Sequence, residues 1–278
     1  MGIPSGDYIS QMLALPHVTP LGLLTLFFMG LFRIAPIVAL APFLGSKLPG
    51  GVKIGLAICL TLLMIPLMVH TSHTTFAFNI EFVGWGLKEL LVGFIIAFLA
   101  SVPFYIAEGS GSFIDFMRGA SSLQVTDPLT QAQTSSIGVL FNYVMIVIFF
   151  QIGGLFIFLS ALVQSYEVLP VDQMISASFF SLHIPFWKLI VGLLTRITAI
   201  SVQLAAPSLV AILMAEMFLG IANRLAPQVQ IVFLGMSLKS LLGLGLLWAA
   251  WAFIMQQMGK QSIFWIRDLN DALRYMGI

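Results

Sequence analysis

The chain has 278 residues and a formal net charge of +1, with hydrophobic residues at 59% and charged residues at only 8%. Soluble domains carry about a quarter charged residues, so this balance excludes a soluble globular class; with no basic stripe to meet phosphates, it also excludes nucleic-acid binding. A mean hydropathy of +1.04 and room for about six spans of roughly 20 apolar residues mark an integral membrane protein.

The N-terminus, MGIPSGDYISQMLALPH, has no basic stretch ahead of its apolar residues and does not read as a cleaved signal. Gly6 stands where a myristoylation signal wants Ser or Thr. Six apolar blocks follow, at about 21–45, 52–69, 80–107, 137–165, 186–224 and 229–258. The fifth is too long for one ordinary crossing, since a helix of that length spans roughly 55 Å. Pro207 near its middle is expected to kink it or break it into two stacked pieces.

Two connections stand out. Residues 108–136 form the longest polar loop, rich in Gly, Ser and Thr but seeded with Phe113, Phe116 and Met117. Residues 166–185 contain Glu167, Pro170, Asp172 and Pro185 and divide an N-terminal four-block half, 1–165, from a C-terminal two-block half, 186–278. The tail at 260–276 is amphipathic: Ile266, Leu269, Leu273 and Met276 share one face, while Arg267 and Asp271 pair at i,i+4 on the other. It reads as a helix lying on a membrane or partner surface. Lys47 and Lys53 mark one loop as cytoplasmic, and Lys260, Arg267 and Arg274 mark the tail likewise. Six simple crossings would put those segments on opposite sides. Either one block does not cross, or the protein is no ordinary membrane bundle.

Charge inside apolar sequence is the strongest functional signal. Arg33, Lys88, Glu89, Arg196, Glu216, Arg224 and Lys239 all fall within or beside the apolar blocks, where they are expected to be buried against protein or to line a cavity. Lys88 and Glu89 are adjacent and point in different directions, so they call for separate partners or a polar interior. Gly86, Gly93, Ala97 and Ser101 place small side chains along one face of block three, which lets another helix backbone approach closely. Thr198, Ser201, Ala205, Ser208 and Glu216 make a weakly polar stripe on block five, read as interhelical hydrogen bonding rather than a substrate-lining face.

Enzyme signatures are missing. Cys59 is the only cysteine, and His70 and His73 have no further ligands nearby, so neither a disulfide nor a zinc site is indicated. Gly109-Ser-Gly111 follows no strand and belongs to no phosphate-binding fingerprint. No H-E-x-x-H or G-x-S-x-G occurs. No catalysis, cofactor or metal is expected.

Several segments together resemble one family: Arg33-Ile-Ala-Pro36 followed by Ala41-Pro-Phe-Leu-Gly45, the Pro49…Val52-Lys-Ile-Gly-Leu56 turn, Lys88-Glu-Leu-Leu-Val-Gly93, and Ala107-Glu-Gly-Ser-Gly111 leading to Asp127-Pro128. Ala206-Pro207 and Gly220-Ile-Ala-Asn-Arg-Leu-Ala-Pro-Gln228 complete the set. This pattern is similar to the export-gate subunit of type III secretion systems, the T subunit of injectisomes and the R subunit of flagella. The likeness covers nearly the whole chain, and 220–228 is its most specific part.

The resemblance implies an all-α membrane subunit of helical hairpins with kinked helices, present once in a conical assembly with several copies of two smaller export-gate proteins. Its N-terminal half would mimic one partner and its C-terminal helical pair the other. It implies a bacterial inner-membrane location and passage of unfolded exported proteins. The long loop would act as a plug; its matching positions run over 108–127 and include Glu108, Gly109, Gly111, Phe113, Phe116, Met117 and Gly119. Ala107 departs from the Gly of many flagellar members, which leans the likeness toward an injectisome. The alternative, a small-molecule secondary transporter, would want inverted repeats around a midplane site, and blocks one to three do not mirror blocks four to six.

Overall fold

The computed structural model describes residues 19–45, 48–72, 80–119, 135–174, 185–225 and 231–276. The described residues form eight α-helices and no strand: α1 (Pro20–Leu40), α2 (Gly50–Thr71), α3 (Ile80–Met117), α4 (Ser136–Gln151), α5 (Gly154–Val168), α6 (Pro185–Leu225), α7 (Ile231–Ala249) and α8 (Trp251–Met276). Four of them, α1, α2, α3 and α6, are long and apolar enough to cross a membrane; six spans result if two bent pairs each count as one. The chain is an all-α membrane protein.

Local chemistry sets the helix ends. The Thr19 hydroxyl accepts from the Gly22 amide at 3.0 Å, and Pro20 occupies the first turn, where its missing N–H has no intrahelical partner to lose. Ser135 caps α4 in the same way, accepting from the Gly138 amide at 2.9 Å. At the end of α2, both the amide and the hydroxyl of Ser72 donate to the Met68 carbonyl, at 3.1 and 2.7 Å.

The blocks differ from the helices in four places. Block three does not stop at 107: α3 continues through Glu108, Gly109, Gly111, Phe113 and Phe116 to Met117. The loop expected from residue 108 therefore starts after the helix, and residues 120–134 lie outside the described ones. The Ser110 and Ser112 hydroxyls fold back onto the carbonyls of Ala107 and Glu108, at 2.7 and 2.9 Å. Gly111 permits near backbone contact with Gly138 of α4: a Cβ there would sit 2.4 Å from the Gly138 nitrogen. Tertiary packing of that closeness outweighs the penalty of about 1 kcal/mol for each helical glycine.

Block four is two helices, because Gly153 takes a left-handed φ of 74° that a side chain would resist. Block six also breaks: the segments Gly235–Ala249 and Trp251–Ser262 meet at 64°, and α8 then carries the amphipathic tail as its own continuation. Block five, conversely, does not divide. The 41 residues of α6 run through Pro207 as one helix, fixed on either side of the proline by buried Leu204, Ala205, Ala211 and Ile212.

The chain separates into two compact units. Unit one takes Met1–Ser101, Leu155–Leu189 and Asp268–Ile278; unit two takes Val102–Gly154 and Ile190–Arg267. These units interleave the sequence halves, since 102–154 groups with the C-terminal helices.

In unit one, α1 and α2 form a hairpin that closes at Gly30, where a Cβ would lie 2.9 Å from Thr61 Cγ2 and 3.0 Å from Met68 Sδ. The small-residue face of α3 lies on α1. A Cβ added at Gly86 would lie 3.1 Å from the Phe32 ring, and one added at Gly93 would overlap the Arg33 carbonyl. Ala97 is fully buried. Phe43 stacks edge-on against Phe158 of α5, with centroids 5.0 Å apart.

Unit two centres on Phe149, whose ring lies 5.5 Å from both Phe104 and Trp265. Ser201 of α6 donates to the Ile106 carbonyl of α3 at 3.1 Å. Gly243 of α7 admits Ile212 of α6, whose Cδ1 would be 3.0 Å from an added Cβ.

Candidate functional site

Each unit contains a charge centre, and the two are built differently. In unit one, Arg33 on α1 and Glu89 on α3 are fully buried and face each other as a fork on a carboxylate. The Arg33 Nε donates to Glu89 Oε2, and Nη2 donates to Oε1 at 2.9 Å. The remaining guanidinium donors reach the end of α5 and the segment after it: Nη1 to the Ser165 carbonyl at 3.0 Å and its hydroxyl at 3.2 Å, and Nη2 to the Leu169 carbonyl at 2.9 Å. The guanidinium carbon lies 4.0 Å from the centroid of the buried Tyr166 ring.

Lys88 joins the same cluster. Its ammonium lies 2.6 Å from Glu89 Oε1 and donates to the carbonyls of Pro170, Val171 and Gln173 at 2.8, 3.0 and 3.1 Å. Glu89 takes Arg33 and Lys88 takes the connector carbonyls within one polar interior, where the two side chains also meet. The long lysine stem carries its charge around the helix to the adjacent carboxylate, which side-chain direction at Cβ alone does not reveal. The start of the 166–185 connector is thus part of the cluster, with Leu169 and Val171 buried; residues 175–184 lie outside the described ones.

In unit two, Asp115 near the end of α3 is buried and takes four donors. Arg118 Nε and Nη2 reach its Oδ1 at 2.7 and 2.6 Å. The Ser135 hydroxyl and the Ile137 amide reach its Oδ2 at 2.5 and 3.0 Å. A carboxylate at the first turn of α4 also meets the positive end of that helix. Arg118 extends Nη1 to Ser240 of α7 at 3.3 Å, and Glu108 accepts from Asn142 at 3.3 Å. Beyond Arg118, Lys239 of α7 pairs with Glu216 of α6 at 2.5 Å, both side chains partly open at 25% and 39%.

The other charged positions are placed differently from expectation. Arg196 is half-buried, its guanidinium 5.5 Å from the Phe264 centroid. Arg224 is exposed, a correction to its expected burial. It sits in the last turn of α6, where a cation is stabilised by the helix dipole without being enclosed. Of the plug positions, Phe116 is 69% exposed, Phe113 and Met117 are half-buried, and Gly119 takes a left-handed φ of 82° just past the helix. His70 is exposed, and His73 lies outside the described residues.

Asp115, Ser135, Ser165, Tyr166 and Ser240 were not singled out from sequence. Only Asp115 had a readable signal, its i,i+3 spacing to Arg118.

Comparison with known proteins supplies the context for these centres. The profile of the family described as bacterial export proteins, family 1, matches residues 24–263. The chain is 34% identical over 204 residues to Yop proteins translocation protein T of Yersinia pestis, covering 72% of this chain and 75% of that one. It is 29% identical to surface presentation of antigens protein SpaR of Shigella flexneri, over 77% of this chain and 80% of that protein. Flagellar biosynthetic protein FliR of Escherichia coli is 26% identical over 81% of this chain and 83% of its own length.

Proposed function

The chain belongs to family 1 of the bacterial export proteins, and on that premise we propose that it is a structural and gating subunit of a type III protein export channel in the bacterial inner membrane. The carrying observation is the family match across 24–263 on a chain whose helices are long and apolar enough for four to six crossings. Export of protein, rather than transport of a small molecule, follows from the family. Similarity to both a translocation protein and a flagellar protein places the role in what those systems share.

Within this reading, unit one's buried ion cluster is scaffolding. A carboxylate saturated by Arg33 and Lys88 is a poor proton carrier and a strong fastener. The gating element is the end of α3, where Phe113, Phe116 and Met117 supply apolar bulk and Gly119 lets the chain turn. Met adapts to varied neighbours, as a seal around changing exported chains must. The seal is carried by a helix end anchored through Asp115. The sequence halves 1–165 and 186–278 would meet different partner subunits.

The test is co-purification of the tagged chain from its native membrane together with secretion assays in a strain lacking it. Other export subunits should be recovered with the chain, and secretion should stop without it. Undiminished secretion in the deletion strain would overturn the reading. For the gate, Phe116→Ser should assemble normally and raise small-ion permeability; wild-type permeability in the assembled variant would remove α3 from that role.

A further inference from the structure

Three carboxylates of the helices are matched to cations of this chain. Glu89 holds Arg33 and Lys88, Asp115 holds Arg118, and Glu216 holds Lys239. Glu108, half-buried in α3, is not. Among the described residues its carboxylate has one polar partner, the Asn142 amide of α4, which donates at 3.3 Å. The other end of that carboxamide, Asn142 Oδ1, is buried and meets no donor. A carboxylate and a carboxamide oxygen both accept, so neither relieves the other. The pair therefore lacks a positive charge and a donor at the same place. Buried polar atoms nearly always have a partner, and one left without costs about 1–3 kcal/mol. The packing holds the pair where it is: a Cβ at Gly138, one turn before Asn142, would lie 2.9 Å from the Glu108 carbonyl. Cations elsewhere in unit two are engaged: Arg118 with Asp115 and Ser240, Arg196 over Phe264, and Lys239 with Glu216. Tyr105, one turn before Glu108 on α3, is 39% exposed, a residue type enriched at interfaces and able to flank a cation.

We propose that Glu108 and Asn142 receive a Lys or Arg side chain from a neighbouring export subunit. The inference rests on the reading of this chain as an export-apparatus subunit. One such side chain supplies both missing parts: its charge meets the Glu108 carboxylate, and its several N–H donors reach Asn142 Oδ1 as well. A proton on Glu108 would also serve Asn142 Oδ1, but it would cancel the charge by which the other three carboxylates each hold a Lys or Arg. The contact falls between the packed stretch of α3 and its end at Phe113, Phe116 and Met117. A neighbour gripping Glu108 thus holds the helix next to the proposed gate.

The experiment purifies the export complex through a tag on this chain, as wild type, Glu108→Gln and Glu108→Lys. The Glu108→Gln chain should melt as wild type does, while recovery of a neighbouring subunit with it falls roughly tenfold or more, as when one side of an interfacial charge pair is truncated. Glu108→Lys should stop secretion, and selection for its return should yield a Lys or Arg changed to Asp or Glu in another export subunit. Undiminished recovery in Glu108→Gln overturns the proposal. Gln imitates a protonated carboxyl, so that result assigns a proton to the site, or, if bound phosphatidylethanolamine is lost instead, a lipid ammonium. A lowered melting temperature in Glu108→Gln that accounts for the lost complex also overturns it, by reducing Glu108 to an internal contact. Suppressors of a folded Glu108→Lys chain that never fall on a cation of another subunit do the same; if that chain does not fold, the Glu108→Gln result decides alone. Recovery of the wild-type chain without any other export subunit would instead overturn the reading on which the proposal stands.

Discussion

The two units treat charge in opposite ways. Unit one encloses Arg33 and Glu89 completely, buries Lys88 beside them, and surrounds the three with backbone carbonyls from 165–173. Unit two leaves Glu216 and Lys239 partly open on a cavity wall and completes only the Asp115 centre. A buried ion pair gains little over apolar packing, but removing one partner strands the other charge at large cost. A half-open pair costs little to make or break. The enclosed centre therefore suits a fixed joint, and the open one suits a surface that exchanges partners.

Glu89→Ala should be the most damaging change, because it leaves two buried cations with no carboxylate between them. A loss of about 3–5 kcal/mol is expected, read as loss of folded chain in detergent and a lowered melting temperature. Retention of wild-type stability would dissolve the contrast between the units.

Gly93→Leu comes next. Even a Cβ at this position would fall 2.3 Å from the Arg33 carbonyl, so α3 must back away from α1 and pull the fork apart. Overpacking of this kind costs roughly 1–3 kcal/mol or more, and both assembly and secretion should fall. Normal secretion by this variant would show that α3 does not depend on its close approach to α1.

Asp115→Ala removes an acceptor for four donors and should destabilise unit two by about 1.5–3 kcal/mol, the range for hydrogen bonds to charged groups. Hydrogen exchange should speed up at the start of α4, where the Ile137 amide loses its partner. Unchanged protection there would mean that the Ser135 cap alone secures the helix.

The smallest effect belongs to Glu216→Ala. Stability of the isolated chain should change by no more than about 1 kcal/mol. A larger loss in thermal unfolding would move this pair into the same class as the unit-one cluster.

Sequence exposed the materials of this fold more readily than their pairings. The stripe of Gly86, Gly93 and Ala97 was legible because small residues at helical spacing have one obvious use in a membrane protein. The fork between Arg33 and Glu89 was not, because it joins residues 56 apart and nothing local selects the partner. Residues 108–117 read as a loop because Gly and Ser are weak helix formers. Their helix depends on α4, which contributes Gly138 against Gly111. The break at Gly153 was hidden in an unbroken apolar run, where composition carries no record of φ. At Pro207 the break offered as one outcome is absent, since buried neighbours on both sides keep α6 continuous. Family likeness reached function because motif order survives where pairwise contacts cannot be read.

The Arg33 fork also imposes an order in time. Its first partner, Glu89, follows it by 56 residues, whereas the Leu169 carbonyl follows by 136. At roughly 5–20 residues per second of synthesis, the interval between them is about 4–16 s. Throughout that interval the nascent protein carries Arg33 and Lys88 against one carboxylate, with no carbonyls from 165–173 to share the donors. Insertion of α1 and α3 into a dry environment is thus unfavourable until α5 has been made, and these helices become a completed membrane element only as a late, concerted step of biogenesis.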